Sequence, residues 1–189
     1  MTDFMTRARA AEQVMRSVFP ATPLQRNAHL SDRYGADIWL KREDLSPVRS
    51  YKIRGAFNAM RKQQGQDLFV CASAGNHAQG VAYMCKHLNV RGVIFMPVTT
   101  PQQKIQKTRI FGGDNIEIHL TGDYFDDTLA AAHAESGDFD EAVKWAEKAL
   151  EVAPEDKKKL CEEQITRFKN KEPFRSQAGK NAEQNMIGG

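Results

Sequence analysis

The sequence predicts an α/β fold, a small parallel sheet with flanking helices, followed by an α-helical hairpin. Three observations carry this. Short β-branched or aromatic runs alternate with helical patterns between Ala36 and Gly122, Gly, Pro or Asp bounds these runs, and from Glu135 onward the chain changes to charged helix with small residues at regular offsets. Strands separated by helices at this spacing form βαβ units, whose parallel sheet must be covered on both faces.

The elements follow in order. Thr2 to Phe19 carries Arg7, Arg9 and Arg16 with apolar Val14, Met15, Val18 and Phe19, while Asp3, Glu12 and the lack of a cleavage pattern favour an amphipathic surface helix over a transit peptide. The strands are Asp37–Lys41, Leu68–Ala72, Gly92–Met96 and Asn115–Leu120. Between them Tyr51–Gln64, Asn76–Leu88, Pro101–Phe111 and Asp123–Ala134 have helical patterns. Pro101 falls at the first helical position after a Thr99-Thr100 pair able to cap, and Gly112-Gly113 stands where a helix-ending glycine belongs. His119 alternates with apolar neighbours as a polar-face strand residue. No role is assigned to it, nor to His29, His87 or His133.

Beyond Glu135 the offsets Gly137, Ala142, Ala149 and Pro154 fit the second half of a tetratricopeptide repeat, with Thr128–Ala134 as its first helix. Gly137 permits the turn, Pro154 stops the second helix, and a third runs from Asp156 to Asn170. One such unit is visible, and repeat arrays need about three, so the hairpin must lean on other structure. The polar tail Ser176 to Gly189 is expected to be disordered.

Composition narrows the function classes. A chain of 189 residues holds one full domain or two small ones. Mean hydropathy is -0.58, and no apolar run approaches the ~20 residues of a membrane helix, so a soluble cytoplasmic protein is expected. Residues 1–134 hold 17 Lys+Arg against 12 Asp+Glu, but these cations are scattered rather than clustered with aromatics, which points away from nucleic acid and toward a small anionic ligand or solubility alone. Cys71, Cys85 and Cys161 show neither paired nor metal-binding spacing and read as reduced thiols.

Two segments carry chemistry. Ser50-Tyr-Lys-Ile-Arg-Gly-Ala56 opens a helix with Lys52 in its first turn, where the helix dipole disfavours the cation and so favours the free amine that Schiff-base chemistry needs. Taken alone, this pattern is far more often a solvated helix face. Ala72-Ser-Ala-Gly-Asn-His-Ala-Gln-Gly80 lies where a buried strand gives way to a helix, and its small residues leave backbone N–H groups open to a ligand carboxylate. The alternative is a tight turn with Ser73 and Asn76 as helix caps.

Together with Thr22-Pro-Leu24 and Lys41-Arg-Glu-Asp-Leu-Ser-Pro47, these segments resemble the threonine dehydratases, members of the tryptophan-synthase-β-like group of pyridoxal-phosphate enzymes. The likeness continues through Gly92-Val-Ile-Phe-Met-Pro97, Thr100-Pro-Gln-Gln-Lys104 and Phe111-Gly-Gly-Asp114 to Gly122-Asp-Tyr-Phe-Asp126, spanning about residues 20–134. It implies part of the type II pyridoxal-phosphate fold, with pyridoxal 5'-phosphate as cofactor and L-threonine, or serine, converted to a 2-oxo acid and ammonia in amino-acid metabolism leading to isoleucine. It implies that Lys52 carries the cofactor and moves the substrate α-proton, that Asn76 bonds the cofactor's 3′ oxygen and that Tyr51 backs its ring. The loop Ser73, Ala74, Gly75, Asn76 and His77 would hold the substrate carboxylate. Ala74 stands where the related serine racemases carry a second serine, which favours dehydration over racemisation.

The resemblance also implies a division into residues 1–49, belonging with a large cofactor domain, a small α/β domain over 50–134, the hairpin and third helix over 135–175, and the tail 176–189. The family's glycine-rich phosphate cup and pyridine-nitrogen partner follow the last matching residue, and neither Gly112-Gly113 nor Gly188-Gly189 replaces the cup. Weak cofactor binding through Lys52 and no release of 2-oxobutanoate are therefore expected. The switch at Asp127-Thr-Leu-Ala-Ala-Ala132 fits both families, so a helical-repeat interaction module and a catalytically inert chimera stand as alternatives. Exposed apolar surface on residues 1–49 would be covered by the helical tail, a second copy or another protein. No metal site is expected.

Overall fold

The computed structural model describes residues 3–63 and 65–174. The polar tail called disordered above lies outside them. Helix α1 (Phe4–Met15) starts at Asp3, whose carboxylate accepts from the Met5 N–H at 2.8 Å, and of its residues only Met15 is buried, as a surface helix requires.

Strands β1 (Leu24–Arg26) and β2 (Trp39–Lys41) pair antiparallel in a sheet of their own. The strand expected at Asp37–Lys41 thus lies in the N-terminal segment, apart from the parallel strands. The intervening α2 (Ala28–Tyr34) is only about two turns long and closes at Gly35 in the left-handed region, φ 60°, so the chain doubles back beside β1 instead of crossing a sheet. Leu24, Trp39 and Leu40 on this hairpin, with Tyr34 and Leu45 nearby in sequence, are exposed.

Helix α3 (Lys52–Met60) is shorter than Tyr51–Gln64. Past Met60 the chain reads Arg-Lys-Gln-Gln-Gly-Gln-Asp, with nothing apolar to bury before Leu68, and Gly65 takes φ +81°. A helix of this length is held by its packed face, not by propensity. Its packed face is Ile53, Ala56, Phe57 and Met60.

Strands β3 (Leu68–Ala72), β4 (Arg91–Met96) and β5 (Ile116–Leu120) form one parallel sheet in the order β3-β4-β5. Central β4 is buried from Gly92 to Met96, as a strand covered on both faces must be. On one face, α4 (Asn76–Leu88) and α5 (Gln102–Gly112) pack Ala78, Ala82 and Ile105 against Ile94 and Met96, and α3 joins through Ile53, Phe57, Met84 and Cys85. The opposite face carries α6 (Phe125–Glu135), whose Ala131 and Ala132 meet Val93 and Phe95. The Thr99-Thr100 cap is absent: α5 has no side-chain cap, because Pro101 takes the capping position and the Thr100 N–H bonds the Pro97 carbonyl at 3.0 Å.

The predicted punctuation of the hairpin holds. Gly137, at φ +81°, separates α6 from α7 (Phe139–Val152), and Pro154 separates α7 from α8 (Glu155–Lys169). Helix α6 is shared between two interfaces, since Ala130 and Ala134 pack on Ala142 and Ala146 of α7, with Ile165 and Phe168 of α8 closing the cluster. The hairpin thus leans on the sheet through α6. Lys157 of α8 also pairs with Asp123 at the end of β5, and Phe174 meets Phe95 edge-on at 5.4 Å.

Candidate active site

Lys52 is the first residue of α3, and the chain on both sides of it is fixed. Before it, Ser46 Oγ donates to the Ser50 carbonyl at 2.9 Å and accepts from the Ser50 N–H at 3.0 Å. After it, Arg54 grips Glu43 through two bonds of 2.9 Å and donates to Thr22 Oγ at 3.1 Å, while Thr22 donates to Glu43 at 2.6 Å. The Arg54 guanidinium holds the Glu43 carboxyl below its ordinary value, burial opposing and the Thr22 hydroxyl assisting. Lys41 bonds the Thr22 carbonyl. Charged residues of two sequence motifs, Lys41 and Glu43 from one and Arg54 from the other, together with Thr22 of a third, therefore clamp the start of α3.

Gly80 brings the second motif to Lys52. A Cβ at Gly80 would stand 3.1 Å from the Lys52 carbonyl carbon and the Ile53 nitrogen, so the first turns of α4 lie directly on the first turn of α3. His77 registers the result: burial and the nearby Lys52 ammonium both hold its imidazole below the ordinary value. The Lys52 Nζ lies 5.1 Å from the centre of the Tyr51 ring, which is itself 60% exposed.

The strand-to-helix turn is built without caps. The N–H of Ser73 continues the ladder by bonding the Phe95 carbonyl at 3.0 Å, and Ser73 Oγ accepts from the Gly75 N–H at 3.2 Å. Gly75 occupies the cap position of α4 with no side-chain bond to the helix, and a Cβ there would meet nothing within 4 Å. The alternative with Ser73 and Asn76 as caps is therefore not what forms. Ala74 lies in the turn and Asn76 is the exposed first residue of α4.

Two polar residues that sequence reasoning passed over lie beside these groups. Ser50 Oγ and Gln79 Nε2 are buried with no hydrogen-bond partner among the described residues. Ser50 is two residues before Lys52, and Gln79 is a polar side chain inside the buried run Ala78–Ala82. That interruption of an apolar helix face was the available signal.

The sequence profile of the family described as "Pyridoxal-phosphate dependent enzyme" matches residues 16–164, and the chain belongs to that family. The match covers α7 and most of α8, whereas the resemblance read from the motifs ends near Ala134.

Among its relatives, the biosynthetic L-threonine dehydratase of Bacillus subtilis strain 168 is 54% identical over 125 residues, 65% of this chain and 30% of that protein. The biosynthetic L-threonine dehydratase of Staphylococcus saprophyticus is 54% identical over 121 residues, 62% of this chain and 29% of that protein. The processed form of threonine deaminase isoform 2 from Solanum lycopersicum superposes with a TM-score of 0.57 at 36% identity, over 69% of this chain and 39% of that one. The chain thus spans about 30% of the length of the curated relatives it matches.

The cofactor of the family is pyridoxal phosphate, and the residues present fit its reactive end. Lys52 offers a primary amine at the start of α3, Ser50 two residues before it has a buried hydroxyl still able to bond, and the turn before α4 has open space at Gly75. Gly112-Gly113 is no part of this arrangement. A Cβ at Gly112 would overlap Ile116 and one at Gly113 would approach Lys86, at the edge of the parallel sheet opposite the Ser73–His77 turn. Among the described residues no group of His, Cys, Asp or Glu could hold a metal ion, and no helix is long and apolar enough to cross a membrane.

Proposed function

We propose that this chain supplies the lysine-bearing part of a site that dehydrates L-threonine, or serine, to a 2-oxo acid and ammonia. The observation that supports this is the seating of α4 on the Lys52 backbone through Gly80, which brings the start of α3 beside the helix that follows the Ser73–His77 turn. Bound pyridoxal phosphate supplies the electron sink that makes the substrate α-proton removable. Lys52 would hold the cofactor through its amine and would take the substrate α-proton. Asn76 and Tyr51 would help to hold the cofactor. The N–H groups and side chains of Ser73, Gly75, Asn76 and His77 bind the substrate carboxylate. Ala74 has no hydroxyl to deliver a proton to the opposite face, which keeps the outcome to elimination.

No residue of this sequence is assigned to the cofactor phosphate. Each charge-assisted bond there is worth roughly 1.5–3 kcal/mol, so the 189 residues by themselves bind the cofactor weakly and release no 2-oxobutanoate. The test is titration with pyridoxal phosphate followed by L-threonine, beside a Lys52→Ala variant. A yellow absorbance lost in the variant, without keto acid, is the expected result. No difference in absorbance between the two proteins would remove Lys52 from the site. Threonine turnover abolished by Lys52→Ala would show that this chain or a second copy completes the phosphate site.

A further inference from the structure

A second site lies away from Lys52, between α1 and the C-terminal end of α3. A cleft of about 520 Å³ there is lined by Phe4, Arg7, Asn58, Arg61 and Lys62 together with alanines of α1. Three cations and no carboxylate border it. Arg16, just past α1, pairs with Glu12 at 2.8 Å and Arg54 of α3 pairs with Glu43 at 2.9 Å, whereas Arg7, Arg61 and Lys62 have no ion pair among the described residues. Arg61 donates from Nη2 to Asn58 Oδ1 at 3.0 Å, but its Nε is buried without an acceptor. A guanidinium offers its N–H groups as a planar fork suited to phosphate oxygens. Like charges bordering one cleft without counter-charge repel one another, and a bound anion relieves the repulsion. Phe4, 71% exposed, adds a bare aromatic face at the rim.

We propose that this cleft binds a phosphate-bearing small molecule with an apolar or aromatic body, the phosphate held by Arg7, Arg61 and Lys62 and the body lying on Phe4. Three cations lining one cleft suit a doubly charged tetrahedral anion better than a single carboxylate, and the volume falls within the range of small-ligand pockets. The site shares no residue with the Lys52 arrangement and does not depend on it.

The experiment is a nuclear magnetic resonance titration of the full ¹⁵N-labelled chain at low salt with inorganic phosphate and, separately, phenyl phosphate. Saturable shifts of the Arg61 Nε–H and of the Arg7 and Lys62 amides are expected. Arg61→Met, Arg7→Gln and Lys62→Gln should each weaken phenyl phosphate about tenfold or more, while Lys107→Gln, an exposed cation on α5, changes nothing. Phe4→Ala should remove only the advantage of phenyl phosphate over phosphate. Arg7 and Lys62 are exposed, so their variants carry the test even if Arg61→Met fails to fold. Lys52→Ala should leave both affinities unchanged, which separates this site from the proposed function. Shifts that do not saturate, or that weaken equally with Lys107→Gln, would overturn the proposal and leave only diffuse charge attraction.

Discussion

Replacing Gly80 with alanine tests how the two halves of the site are joined. The new methyl would stand 3.1 Å from the Lys52 carbonyl carbon and the Ile53 nitrogen and 3.2 Å from the Lys52 oxygen, all backbone. Carbon contacts are comfortable at about 3.5–4.0 Å, so the start of α3 must retreat by roughly half an ångström. It cannot do so freely. Ile53 is fully buried and Arg54 is bonded to Glu43 and Thr22. Alanine in mid-helix gains about 1 kcal/mol over glycine, whereas overpacking costs about 1–3 kcal/mol, for a net loss near 1 kcal/mol and a fall in Tm of about 2–4 °C. Lys52 should also move from His77, letting the imidazole pKa rise toward its ordinary value. Thermal unfolding by circular dichroism and a histidine titration by nuclear magnetic resonance measure the two effects. A Gly80→Ala protein that is more stable, with His77 titrating as before, would refute the close seating of α4 on Lys52.

Three further outcomes follow from other contacts. Glu43 has its carboxyl lowered by Arg54 in the folded chain, so the clamp contributes stability above the unfolded pKa of about 4.3 and loses it as pH falls through the lower folded value. Glu43→Gln should cost about 1–3 kcal/mol near pH 7, with the gap to the parent closing below about pH 4. A gap unchanged at pH 3 by urea unfolding would count against the clamp. Phe95→Ala, at a fully buried position flanked by His119 and Phe174, should cost about 3–5 kcal/mol in the same assay. Burial pushes the Cys71 thiol up to about 12 and the Cys85 thiol to about 11, so a thiol reagent at pH 8 should label both far more slowly in native than in denatured protein. Equal rates would show that the sheet and α4 open readily.

The parallel sheet was legible because its signals are local. Leu68–Ala72 and Asn76–Leu88 were bounded correctly by an apolar run and by small residues at the turn. Gly137 and Pro154 likewise mark breaks by their own backbone restrictions. The partner of Trp39–Lys41 was not legible, since β1 is three exposed residues with no alternation, and the pairing depends on the reversal at Gly35. At the site, the motifs placed Lys52 and the Ser73–His77 turn. They did not show that Thr22, Glu43 and Arg54 form one ion-paired clamp, because that contact joins residues 32 apart along the chain. Nor did they show Ser50 and Gln79 as buried polar side chains, a property of packing around the turn.

The most direct test is to reduce the complex with pyridoxal phosphate by borohydride at low cofactor excess and map the labelled peptide. If Lys52 holds the cofactor as proposed, the pyridoxyl label should fall on Lys52, and Lys52→Ala should lose most of it. Label spread evenly over exposed lysines such as Lys107 and Lys159, or undiminished in Lys52→Ala, would contradict the site.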